Sequence, residues 1–372
     1  MIKVLHIYKR ALPESIGGIE KFIDTLCNSI SSYGIKNNVL TLSKNPKRKP
    51  IIMNGYSVHQ AKENIYLGST GFSLEAFLKF RKLLQNSDII HHHYPHPFGD
   101  LLQLTSFTDK PYLITYHSDI LRQKNLETIY KPIRYFFLKN SKKIVATSPN
   151  YFKTSNLLNK YHNKVDIIPI GISKKDFKKT SQKNINYWKK KFKSRFFLFI
   201  GVNRYYKGLK IALQAIQNTE IELVIAGSMN NKDDLINYAN SRNITNVKFL
   251  GELSLEDKCS LLKLCYGFVF PSNLRSEAFG ISLLEAAYFG KPLISCEIGT
   301  GTTFVNIHNE TGIVINPSDP IDLKEAMLKL LKNEDLAKKF GFKAKLRAKK
   351  LFNSDKTALS YLNLYEKIIR DL

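Results

Sequence analysis

Short apolar runs alternate with helix-length amphipathic stretches along almost the whole of this 372-residue chain, and that alternation leaves few folds open. "IKVLHIY" (2–8), "NNVLTL" (37–42), "DIIHHH" (88–93), "PYLITYH" (111–117), "KIVATS" (143–148) and "VDIIPI" (165–170) read as strands. Helical patterns lie between most of them, at 19–33, 73–86, 123–140 and 149–160. A second series starts after the Lys-rich polar stretch 173–194, with strands at 196–201, 221–227, 247–251, 267–272, 292–296 and 312–315. Strands separated by helices form right-handed crossovers and a parallel sheet. Two such series with a polar linker predict an α/β protein of two doubly wound, Rossmann-like domains facing across a cleft. From about 319 onward the chain reads as helical.

The chain is longer than a single core usually grows, which agrees with two domains. Its 57 Lys and Arg against 31 Asp and Glu leave a formal charge of +26. Such an excess suits an anionic partner: phosphates, an acidic membrane surface or nucleic acid. Lysine-rich composition alone is the competing explanation. No zinc-finger or RNA-recognition signature is present, so nucleic acid is not expected. No stretch offers the ~18 uninterrupted apolar residues of a membrane-spanning helix. The opening "MIKVLHIYKR" lacks a signal-peptide pattern, so a cytoplasmic chain is expected. Cys27, Cys259, Cys265 and Cys296 form no CxxC pair and are expected to be reduced and buried.

Ligands of open α/β sheets bind beyond the carboxyl ends of strands, so the residues following the apolar runs matter most. Gly17 and Gly18 stand before the helix opened by Ile19 and Glu20, where a backbone can approach a phosphate or simply turn. After strand 196–201 come Arg204, Lys207 and Gly208, two cations near a helix start, suited to a diphosphate or to solvent. In "SEAFGISLLEAAYFGKPLI", Glu285 lies in an otherwise apolar helix, where an unpaired carboxylate is costly. Glu277 precedes that helix, beside the free N–H groups of Phe279 and Gly280. "HHHYPHP" places His91 and His93 on one face of a strand and His92 on the other. Cleft-wall residues, plain core histidines and a metal site are all compatible with that run, but no nearby carboxylate other than Asp100 is expected to converge on it.

The motifs "GGIE" (17–20), "YKG" (206–208), "PSNLRSEAFGISLLEAAYFGKPLI" (271–294) and "NETGIVINP" (309–317) resemble glycosyltransferase family 4, retaining enzymes of the GT-B fold. The E-x7-E spacing of Glu277 and Glu285 is the most specific of them. "HHYPHPFGDL", "TYHSDILRQK", "ATSPNY", "RYYKGL" and "GTGTTFVNIHNETG" narrow the resemblance to the rhamnosyl/mannosyltransferase branch of bacterial surface-polysaccharide synthesis. The resemblance implies an acceptor-side domain over 1–180, a nucleotide-sugar domain over 181–352, and a helix over 353–372 packing back on the first domain. It assigns the donor to Gly17, Gly18, Arg204, Lys207, Glu277, Phe279, Gly280, Ile281 and Glu285, with Glu285 on the ribose and Lys207 on the diphosphate. It makes His117, Glu277, Arg204 and Lys207 the reaction centre and puts the acceptor near His93, Tyr94, His96, Asp119 and Arg122. The family commonly carries an arginine where this chain has Val202, so Arg204 is expected to take the phosphate role.

The activity so implied is hexose transfer, mannose from GDP-mannose first, onto a lipid-linked glycan, with no metal or other cofactor. A UDP-sugar donor, or a non-catalytic sugar-nucleotide- or nucleic-acid-binding protein, are the alternatives. The interleaved basic and aromatic residues of "YKPIRYFFLKNSKK" (130–143) fit either a helix lying on anionic lipid or one packing its aromatics inward.

Overall fold

A computed structural model describes residues 1–120, 124–177, 180–192, 194–228 and 232–371. The chain forms two compact units, Met1–Gly171 with Asn353–Leu372, and Ile172–Phe352. The boundary therefore falls nine residues before the expected 180/181 (180 − 171).

The first unit carries an eight-stranded sheet in the edge-to-edge order Val165–Ile167, Lys143–Ala146, Tyr112–Tyr116, Ile89–Tyr94, Lys3–Ile7, Lys36–Ser43, Tyr56–Lys62, Ile51–Met53. All neighbours are parallel except the last pair. The strand order reverses between Lys3–Ile7 and Ile89–Tyr94, with His6 in register with His91. The helix Gly18–Ser31 packs on the final helix, Ser354–Arg370, which closes one face of this sheet. Tyr361 and Tyr365 of that final helix are fully buried. A small hairpin, Ile65–Leu67 with Thr70–Phe72, and the strands at 51–53 and 56–62 escape the apolar-run reading.

The second unit holds a six-stranded, all-parallel sheet ordered Val247–Gly251, Glu222–Ala226, Phe196–Ile200, Gly267–Phe270, Leu293–Cys296, Gly312–Ile315. Taken in chain order this is 3-2-1-4-5-6, with its switch point between the first and fourth strands. "FFLFI" and "GFVF" are buried throughout, as parallel strands covered on both faces must be. The stretch 173–194, expected to be a linker, contains the helix Gln182–Lys191. Trp188 anchors it: the ring is buried and its indole N–H donates to Asp257 at 2.8 Å on the helix Leu255–Leu264.

Candidate functional site

In the second unit the chemistry gathers beyond the switch point. Strand Phe196–Ile200 leads through Arg204 into a short 3-10 turn, Tyr205–Lys207, and then to Gly208. Gly208 has φ of +65°, and a side chain there would run into the Pro271 carbonyl, so only glycine lets the chain turn into the helix Leu209–Ile216. That turn aims Lys207 at the loop following the fourth strand. Its ammonium forms an ion pair with Glu277, and both side chains are 11% exposed. The Ser272 hydroxyl donates to the same carboxylate oxygen at 3.1 Å. The Lys207 Nζ also lies 4.7 Å from the centre of the Phe270 ring. Burial, with the Glu277 charge second, pushes the neighbouring Tyr206 phenol well up.

Gly280, with φ of +89°, caps the helix Ile281–Tyr288. A helix start leaves its first N–H groups without intrahelical partners; here they run from Gly280 and Ile281 into the first turn, while Phe279 precedes the cap. Phe279 itself is buried. Glu285 is buried one turn further on, but it is not unpaired: Lys258 Nζ reaches its Oε1 at 2.6 Å. Sequence reading missed Lys258. It sits on the helix Leu255–Leu264, and no local pattern connects it to a carboxylate 27 residues later. Arg204 is exposed at the entry of the 3-10 turn.

In the first unit the histidines form a buried network at that sheet's switch point. His6 Nδ1 lies 3.1 Å from His93 Nε2, and His93 Nδ1 lies 3.2 Å from His117 Nε2. His6 Nε2 meets the Asn37 side-chain oxygen at 3.2 Å. His91 bonds the Tyr365 hydroxyl at 2.7 Å and the Thr115 hydroxyl at 2.6 Å. His92, on the opposite face, meets Gln103 at 2.9 Å. Burial depresses all of these imidazoles: His6 and His92 to about 4, His117 to about 3, and His91, His93 and His96 well down. They are therefore neutral at pH 7.

His6, His91 and His93 bring one nitrogen each within 4.8 Å of one another, the spacing of a possible metal site. Yet His6 and His93 share a hydrogen bond, and both His91 nitrogens meet hydroxyl groups. Asp100, the carboxylate considered for such a site, instead accepts from Tyr130.

Two of the acceptor-side assignments, His93 and Tyr94, need correction. His93 and Tyr94 are 0% exposed, because a central parallel strand is covered on both faces; neither reaches an acceptor as the chain is folded. His96 is buried, and neither ring nitrogen has a hydrogen-bond partner among the described residues. Asp119 accepts from Tyr116 at 2.7 Å and from Ser155 at 3.0 Å, so it braces the strand end. Arg122 lies outside the described residues. His117, at 4% exposure, is the end of the network nearest solvent. Gly17 and Gly18 start the helix Gly18–Ser31, and the Glu20 carboxylate folds back over Gly17, where a Cβ would collide with it.

The helix Lys124–Asn140 divides its large apolar and aromatic side chains. Tyr130 and Phe137 are buried, while Ile129, Tyr135 and Phe136 are exposed. The four cysteines are free and buried.

Residues 16–175 match the family described as Glycosyltransferase Family 4, and residues 180–347 match Glycosyl transferases group 1. The D-rhamnosyltransferase WbpZ of Pseudomonas aeruginosa is 46% identical over 95% of this chain and 93% of its own length. The O-antigen chain mannosyltransferase C of Escherichia coli is 41% identical over 99% of both chains. Among solved structures, sucrose-phosphate synthase from Thermosynechococcus elongatus superposes with a TM-score of 0.83 at 18% identity, covering 100% of both chains. WaaG, a glycosyltransferase of lipopolysaccharide biosynthesis, gives 0.71 at 16% identity over 95% of this chain and 98% of its own. The fold is thus GT-B, and with two near-full-length relatives above 40% identity the chain belongs to glycosyltransferase family 4, in the branch of rhamnosyl- and mannosyltransferases.

Proposed function

We propose that this glycosyltransferase moves a hexose, mannose from GDP-mannose, onto a lipid-linked glycan during O-antigen or related surface-polysaccharide synthesis. The observation that carries this reading is the full-length similarity to the O-antigen chain mannosyltransferase, joined to the Lys207–Glu277 pair and the buried Glu285 of this chain.

In this reading Lys207 meets the donor diphosphate already oriented by Glu277 and the Phe270 ring. Arg204, exposed at the same turn, adds a second cation. Departure of the nucleotide builds negative charge on the diphosphate, and fixed cations and the N–H groups at Phe279, Gly280 and Ile281 offset it without reorganising. Glu285 takes the ribose hydroxyls, exchanging part of its bond to Lys258. The acceptor hydroxyl attacks the anomeric carbon from the face the diphosphate leaves as the bond to that phosphate oxygen breaks, the departing phosphate takes the hydroxyl proton, and the anomeric configuration is retained. Gly17, Gly18 and His117 keep their donor-side roles in the proposal, with His117 positioning the sugar rather than acting as base. No metal takes part. The exposed face Ile129, Tyr135 and Phe136, flanked by Lys131 and Lys139, rests on anionic lipid at the cytoplasmic side of the membrane.

A thermal-shift panel of GDP-mannose, GDP-D-rhamnose, UDP-glucose, UDP-GlcNAc and dTDP-rhamnose tests the donor, because a ligand bound only by the native state raises its apparent stability. GDP-mannose is expected to give the largest shift and, with a lipid-linked acceptor, an α-mannoside by NMR. A β-linked product removes the retaining mechanism. A second reading, D-rhamnosyl transfer, is favoured by the similarity to WbpZ and stands if GDP-D-rhamnose dominates the panel. Binding to anionic vesicles should weaken as salt rises; insensitivity to both salt and lipid charge would argue against the membrane contact.

A further inference from the structure

The histidine network has a direction. The Asn37 side-chain nitrogen lies 3.4 Å from the Cys27 carbonyl and 3.5 Å from the Ile35 carbonyl. The reversed amide would set an oxygen against two carbonyl oxygens, so the amide oxygen is the atom facing His6. That oxygen only accepts, and His6 Nε2, 3.2 Å away, must carry the hydrogen. A neutral imidazole has one N–H, which leaves His6 Nδ1 bare. His93 Nε2 must then donate to it, which leaves His93 Nδ1 bare. His117 Nε2 must donate in turn. Depressed basicity along the whole run keeps each ring neutral and the sequence of donors unambiguous.

We infer that Asn37 is a positioning residue: acting through His6 and His93, it fixes His117 as the Nε2–H tautomer, so that His117 offers a bare Nδ1 as hydrogen-bond acceptor to a substrate hydroxyl. Among His6, His91, His93 and His117, only His117 has any exposure, 4%, which makes it the end through which the network meets a ligand. Such a nitrogen binds a hydroxyl and gives nothing to an ether or carbonyl oxygen, so this end of the site selects a group that can donate. His91 stays outside the relay, held by Tyr365 and Thr115. The substrate half of the inference rests on the proposed placement of His117 beside the sugar; the tautomer half does not.

Long-range proton–nitrogen NMR on full-length protein labelled with 15N-histidine reads the tautomers without any donor present, the His117 signals being assigned by their loss in His117→Gln. The expected result is Nε2–H and bare Nδ1 for His6, His93 and His117. Asn37→Leu, similar in size but without the acceptor, should let His117 populate the Nδ1–H form and lower kcat/KM roughly tenfold, the effect of one lost hydrogen bond. Asn37→Asp, protonated in this buried place, keeps an acceptor toward His6 and a donor toward the carbonyls, and should restore both readouts. Nδ1–H on His117 in the wild-type protein overturns the relay. So does a folded Asn37→Leu protein with unchanged tautomers. Stoichiometric zinc that copurifies and is lost in His6→Gln also overturns it, because the metal would take the lone pairs the relay needs. Changed tautomers with unchanged kcat/KM overturn the substrate half alone. Failure of the donor reading looks different: wild-type protein then turns over none of the offered donors while its tautomer spectrum is intact.

Discussion

Lys207 and Glu277, 70 residues apart in sequence, close an ion pair beyond the two strands between which the second sheet reverses its order. One pair thus ties together the loops after the first and fourth strands. Neither side chain is free to wander, so the cation offered to an anionic ligand is already in place.

Replacing Lys207 by Met leaves Glu277 buried beside a lone Ser272 hydroxyl. Transfer should fall by about 10²–10³, and stability by about 3 kcal/mol because one charge of a buried pair loses its partner. Combining Lys207→Met with Glu277→Gln should recover most of the stability and none of the turnover. Chemical denaturation and initial rates on the three proteins separate the two effects.

Lys258→Met strips Glu285 of its counter-charge in the same way. Lys258 is 22% exposed against 9% for Glu285, so solvent softens the loss, and about 2 kcal/mol is expected by urea titration. If Glu285 binds the ribose, Glu285→Gln lowers the thermal shift given by the donor far more than Lys258→Met does.

Acid should unfold the protein early. An unfolded histidine titrates near 6.5, whereas His6 and His92 in the folded chain stay neutral down to about 4 and His117 to about 3. Between those values the unfolded state binds more protons, so stability is full above about pH 6.5 and drains as pH falls. Each such imidazole contributes a loss of about 2 kcal/mol by pH 5. Melting temperature measured from pH 7.5 to 5 should drop steeply, and replacing His92 by Gln should flatten the slope.

Gly208→Ala meets two obstacles at once: a positive φ of 65° and the Pro271 carbonyl. The turn that aims Lys207 cannot survive both, and transfer activity should fall by at least the loss expected for Lys207→Met. A circular dichroism spectrum like the wild type, with activity retained, would contradict the reading of this turn.

Much of the molecule was legible in the chain. Strands buried on both faces are near-continuous apolar runs, which is why "FFLFI" and "IIHHH" stood out at once. Tyr56–Lys62 did not, since "YSVHQAK" alternates polar and apolar residues on a strand near the sheet edge. The helix Gln182–Lys191 hid under its lysines; the spacing of Ile185, Trp188 and Phe192 was its only apolar signature. In the site, Glu277, Lys207 and Glu285 announced themselves through spacing. Lys258 did not, because the pairing of a lysine on one helix with a carboxylate on another is settled by packing. The histidines were visible as a run, but their burial and the part of Asn37 arise from strand register, which places His6 beside His91.

The chain leaves its first unit at Gly171 and re-enters it only at Asn353, so Tyr361 and Tyr365 reach Thr115 and His91 after everything between has been made. On the ribosome the order of maturation is therefore inverted. Residues 172–352 are contiguous and can settle as they emerge, while the sheet of the first unit waits, one face uncovered, until the helix Ser354–Arg370 has emerged. Nonsense or frameshift lesions in codons 353–372 should consequently damage a sheet whose strands were synthesised before residue 168.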